Sequence, residues 1–111
     1  MHHAIYDKLR SVANGRGTMT YGEVAPLASL DMSDPADRNQ IAQILGEIST
    51  YEHEQGRPML SAVVVLHDSG LPGQGFFTLA RELGELDRDD ELAFFASELE
   101  RVHHHWGATP A

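Results

Sequence analysis

Ser61, His67 and Asp68 bring together, in one short stretch, the side-chain types of a nucleophile, a general base and an orienting carboxylate. A working relay of that kind holds its serine on a sharp, exposed turn, with the imidazole within reach of the hydroxyl. Ser61 instead falls inside an apolar run, and His67 and Asp68 are neighbours in a turn-forming segment. They read as a strand position and a turn, so no catalytic residue is assigned. His103, His104 and His105 suggest a metal centre. Adjacent helical residues diverge by about 100°, however, so three in a row cannot share one ion from a regular helix. Near a helix C-terminus they suit the dipole, and no metal site is assigned. Glu52, His53 and Glu54 form a group able to titrate near neutral pH, and read as a solvated helix end.

Gly70-Leu71-Pro72-Gly73-Gln74-Gly75 has the glycines of a phosphate-cradling loop but neither its lysine nor its hydroxyl. It reads as a hairpin tip or a sharp turn into a helix, with Ser69, Gly70 and Gln74 as contacts if it forms a wing. Lys8, Arg10 and Arg16 are the one local basic cluster, which Arg57 joins if the fold brings it near. Glu85, Asp87, Asp89, Asp90 and Glu91 form an acidic run that favours the start of a last helix.

The elements that position these groups follow from periodicity. Ile5, Leu9 and Val12 predict a first helix over residues 4–13, broken by Asn14-Gly15-Arg16-Gly17. Thr18-Met19-Thr20 reads as a short strand. Thr20 and Glu23 are spaced as a capping box for a second helix faced by Val24, Leu27 and Leu30, with Pro26 predicting a kink or early stop. Asp34 and Pro35 open a third helix, faced by Ile41, Ile44, Leu45, Ile48 and Tyr51 and ending near Gln55-Gly56. Residues 59–66, apolar on both faces and rich in valine, predict a buried strand. Residues 76–83 predict a helix stopped by Gly84. Asp87 is the expected cap of a last helix, whose Leu92, Phe95, Leu99, Val102 and Trp106 form either core or a dimer seam.

The chain has 111 residues, of which 41% are hydrophobic, enough for one domain with its own core. The absence of cysteine excludes thiol nucleophiles, zinc–thiolate sites and disulfides, and fits a reducing compartment. Residues 59–66 are too few to span a bilayer, and the first residues lack the apolar core of a signal segment. A cytoplasmic location is expected. A net charge of −9 opposes nucleic acid and anionic membranes at long range.

Met19-Thr20-Tyr21-Gly22-Glu23-Val24-Ala25 resembles the Thr-Tyr-Gly segment of the alkylguanine–DNA alkyltransferases and alkyltransferase-like proteins. Ile44-Leu45-Gly46 and Ala62-Val63-Val64 before Gly70 fall in similar order. The resemblance covers residues 4–75 and implies a winged helix-turn-helix domain that contacts DNA. Where that family carries Pro-Cys-His-Arg, this chain has Met59-Leu60-Ser61-Ala62, and the place of the base-flipping arginine is taken by Gln43. Alkyl transfer is thereby excluded. The segment from Arg57-Pro58 to Phe77 is also similar to uncharacterised bacterial proteins.

The expected architecture is α+β and helix-rich: a winged helix-turn-helix-like domain with a small sheet and two additional C-terminal helices. It forms one domain over 1–111, with a core at 4–75 and a helical extension at 76–106. The expected function is that of a non-catalytic interaction module in a nucleic-acid context, with Tyr21, Arg38, Gln40, Gln43 and Arg57 as contacts. The alternative is an acidic protein–protein adaptor or homodimer using Leu92, Phe95, Leu99 and Trp106. No cofactor, small-molecule substrate or membrane partner is expected.

Overall fold

The structure is a computed structural model that describes residues 1–87 and 90–107. It is helix-rich, with a small parallel sheet. In order it contains α1 (His3–Asn14), β1 (Met19–Thr20), α2 (Tyr21–Val24), a 3-10 turn (Ala25–Ala28) and α3 (Pro35–Glu54). A second 3-10 turn (Leu60–Val63), β2 (Val64–Val65), α4 (Gln74–Glu82) and α5 (Glu91–Trp106) complete it.

Local chemistry sets the helix starts. The Thr20 hydroxyl accepts from the Glu23 N–H at 3.2 Å while Glu23 Oε1 accepts from the Thr20 N–H at 2.9 Å, so the expected capping box is present. These hydrogen bonds to Thr20 hold the Glu23 carboxyl below its usual pKa. Pro26 limits this helix to one turn before the 3-10 segment takes over. Leu27, expected on its apolar face, is exposed as a result. Asp34 caps α3 through the Ala36 N–H, with Pro35 in the first turn. The cap of α5 is Asp90, which accepts from the Ala93 N–H at 3.0 Å, and not Asp87. Asp89 of the acidic run lies outside the described residues.

The expected strand over 59–66 shortens to Val64–Val65. Its partner explains why. Met19 pairs with Val64 and Thr20 with Val65, in parallel, and Thr20 is already the cap of α2 while the Asn14–Gly17 turn lies upstream. Only two residues can therefore pair. Upstream of them, Leu60–Val63 curl into a 3-10 turn whose four side chains are all buried. No strand follows β2 among the described residues, so the expected hairpin is replaced by a turn. In it the Gly70 N–H donates to the Leu66 carbonyl and the Leu66 N–H to the Leu71 carbonyl. The glycine-rich segment then runs into α4, which takes in Gln74 and Gly75.

One core joins all of these elements. Ile5 and Leu9 of α1, Ile41, Leu45 and Ile48 of α3, Met59, Leu60 and the run from Ala62 to Val65, Phe76 and Phe77 of α4, and Phe95 and Val102 of α5 belong to a single buried cluster. The two C-terminal helices are thus part of the central core. No helix among the described residues is long and apolar enough to cross a membrane.

Candidate functional site

A groove of about 480 Å³ opens between the first half of α3, the start of α2 and the β2–α4 connection. It is large enough for a drug-sized group. Leu45, Leu66, Phe76 and Leu79 make its walls apolar, and Arg38 and Glu82 are the charged residues among its lining. Three of the residues singled out from sequence meet here: Tyr21, Arg38 and Gln43.

Each is placed by its element. Tyr21 is the first residue of α2, just past the Thr20 cap, and its hydroxyl accepts from the Gly73 N–H at 2.8 Å. A Cβ on Gly73 would stand 3.4 Å from that oxygen, so a glycine lets the chain approach closely. Burial pushes the Tyr21 phenol above its usual pKa, against the opposing effect of the Gly73 N–H, so it keeps its proton. Arg38 and Gln43 lie on the exposed side of α3, and the Arg38 guanidinium donates to the Met32 carbonyl at 3.2 Å. Ser61 reaches the groove from the 3-10 turn and is 6% exposed. Its hydroxyl pairs with that of the fully buried Ser49 at 2.6 Å, and its N–H donates to the Ser49 oxygen at 3.1 Å.

The other sequence candidates lie elsewhere. Gln40 is exposed on α3 and outside the groove lining. Ser69 and Gly70 are exposed on the turn after β2, Gly70 with a positive φ of 70°. Gln74 donates to Glu91 at 3.2 Å, which ties α4 to the start of α5. His67 and Asp68 are exposed and pair with each other at 3.3 Å, while Ser61 bonds to Ser49. The three do not form a relay.

Arg57 belongs to a second polar centre. Glu52, expected to be solvated, has no exposed surface. It continues the buried α3 face of Ile41, Leu45 and Ile48, and its charge is met on both oxygens: the Tyr6 hydroxyl donates at 2.5 Å and the Arg57 Nε pairs with the other oxygen. The Glu52 bond raises the Arg57 pKa further. Burial, then the Glu52 carboxylate, raises that of Tyr6. The Arg57 guanidinium lies over the rings of Tyr51 and Trp106, and that of Arg10 over Tyr6 and Trp106. Arg10 and Arg57 therefore do converge, but on an aromatic ladder and not on the groove. Arg16 approaches the end of α5, where a Cβ on Gly107 would come within 2.8 Å of its Cζ.

A second buried carboxylate, Glu98 of α5, accepts from the Met59 N–H at 3.0 Å and from Arg101 at 2.5 Å. Neither Glu98 nor Ser49 was singled out from sequence. The spacing of Glu98 between Phe95 and Val102, like that of Glu52 after Ile48, was the available signal. Of the stripe on the last helix, Phe95 and Val102 are core, Leu99 and Trp106 are half-buried against it, and Leu92 is 63% exposed. His103 donates through Nε2 to the Gly17 carbonyl at 2.8 Å, and His104 and His105 are exposed. Among the described residues no group of three histidine or acidic side chains is placed to hold a metal ion.

No protein family, curated protein or solved structure matches the chain.

Proposed function

We propose that the chain is a non-catalytic, winged-helix-like interaction module that works in a nucleic-acid context through the groove beside α3. The observation that carries this reading is the meeting of Tyr21, Arg38 and Gln43 on one apolar cleft. An aromatic ring, a guanidinium and a side-chain amide are the groups that stack on and hydrogen-bond to an unpaired base. The order of helix, short strand, capped turn and long helix supports the helix-turn-helix part of this reading, while a turn stands in the place of the wing hairpin after β2. The charge distribution shapes what such binding would be. Arg38 is the single cation in the groove's lining, and Arg57, Arg81 and Arg101, each paired with a carboxylate, lie outside that lining. Affinity would come from the cleft and not from the phosphate backbone.

Fluorescence anisotropy with labelled single-stranded and duplex oligonucleotides tests this. Binding is expected to weaken in Arg38→Ala and Gln43→Ala, with log K falling against log salt with a slope of only about −1, as for one phosphate contact. No binding at ~50 mM salt, where electrostatic contacts are strongest, removes the reading.

The alternative is a protein–protein adaptor, favoured by one observation: Leu92 is the most exposed of the large hydrophobic side chains. Sedimentation distinguishes the two. A dimer abolished by Leu92→Ser supports the adaptor.

A further inference from the structure

Proton bookkeeping in the groove identifies what its ligand must offer. A serine or tyrosine hydroxyl has one proton to donate and two lone pairs to accept with. The Tyr21 oxygen accepts from Gly73, and its own proton meets no acceptor among the described residues. Ser49 and Ser61 share one bond between two hydroxyls, which leaves one of their two protons over. If Ser61 were the donor, the proton of Ser49 would be stranded at a site with no exposed surface. A donor left unmet where no surface is exposed is costly, and of the two serines only Ser61 reaches the groove, so Ser49 donates and Ser61 keeps its proton for the groove. That surface thus holds two hydroxyl donors without acceptors, Tyr21 and Ser61, between apolar walls and with one side chain of each charge in its lining.

We infer that the groove selects a neutral, planar ring carrying keto oxygens, which accept the hydroxyl protons of Tyr21 and Ser61. This rests on the reading that the groove is the working surface, and adds to it the chemical class of what enters. Apolar walls with the rings of Tyr21 and Phe76 suit a flat, uncharged group. A ring with amino groups in the same places would set donor against donor and leave both unpaired, which is the strongest form of discrimination a small site can make. The ring can come from an unpaired base in a strand or from a free nucleoside.

The test uses thymidine and 5-methyl-deoxycytidine, which share the 2-keto oxygen and differ at position 4, keto against amino, and at N3, which carries a proton only in thymidine. Each is titrated into the full chain, free and within single-stranded oligonucleotides, with backbone amide shifts as the readout. Thymidine is expected to move the amides around Gly73 and Ser61 and to bind about tenfold tighter than its amino counterpart. Of Ser61→Ala and Tyr21→Phe, each shown to be folded by its amide spectrum, the one whose hydroxyl faces position 4 is expected to cut that preference about three- to tenfold and the other to weaken both nucleosides alike, and a preference unchanged in both variants overturns the inference. The same ratio with free nucleosides alone supports the inference while removing the nucleic-acid reading. Oligonucleotide binding with equal affinity for both bases overturns the inference and leaves that reading standing. Absence of any shift at millimolar thymidine, free or in a strand, also overturns it.

Discussion

Replacing Arg57 by alanine removes the one cation that meets the Glu52 carboxylate among the described residues. Glu52 has no exposed side-chain surface, while Arg57 is 25% exposed, so the loss leaves a buried charge held only by the Tyr6 hydroxyl. Breaking a buried pair in this way costs about 3–5 kcal/mol. The partial exposure of Arg57 lets water reach the vacated space, which places the expected loss near the lower end, about 3 kcal/mol. Set against a total stability of roughly 5–15 kcal/mol for a domain, this is a large fraction. At about 4 °C per kcal/mol for a chain of this size, the midpoint should fall by about 12 °C. Urea unfolding with an unchanged m-value gives the free energy directly. The decisive comparison is a double-mutant cycle with Glu52→Gln. In that background the same Arg57→Ala should cost only about 1 kcal/mol, from the lost contacts with the rings of Tyr51 and Trp106. Equal costs in the two backgrounds, or a loss under about 1 kcal/mol in the parent, would refute the assignment of Arg57 as the counter-charge of Glu52.

Glu98→Ala should destabilise by at least about 2 kcal/mol and abolish hydrogen-exchange protection at the Met59 amide, which it leaves without an acceptor. Glu98→Gln, which keeps an acceptor, should retain most of that protection, and unchanged exchange in the alanine variant would count against the bond. Stability should also decline at alkaline pH. Tyr6 and Tyr21 both have raised pKa values in the folded chain, so their contribution is complete below the unfolded tyrosine pKa near 10 and is lost as pH rises through the folded values. Tyrosinate absorbance should accordingly appear late, and Tyr21→Phe should flatten the alkaline limb of the stability profile.

The helices were legible from sequence because their signals are local. The capping box at Thr20 and Glu23, the Asp34-Pro35 start and the α3 face of Ile41, Leu45 and Ile48 need no knowledge of distant residues. Residues 59–66 hold only two strand residues: a valine-rich run reports burial and not pairing. How many of its residues could join a sheet was decided more than 40 positions away, where Thr20 ends its strand by capping a helix. Glu52 and Glu98 were hidden in a similar way: a carboxylate on an apolar face is tolerable only when donors converge on it, and while Arg57 is five residues from Glu52, the Tyr6 hydroxyl and the Met59 amide come from 46 and 39 positions away. Of the groove, Tyr21, Arg38 and Gln43 could be named from sequence. Ser61 could be dismissed as a nucleophile, but its role as a hydroxyl donor depends on Ser49, which only the fold brings near.

The bond from the Met59 N–H to Glu98 has a consequence for the order in which the protein matures. The middle of the chain is completed by a carboxylate on its final helix, and Phe95 and Val102 of that helix fill the same interior. During synthesis, a nascent chain halted before α5 emerges would carry an unfilled centre and an orphaned amide, however well α1 and α3 had formed. Native packing of the middle of the chain therefore has to await emergence of α5 from the ribosome. Truncation ahead of Glu91 should give an aggregation-prone species and not a smaller working domain.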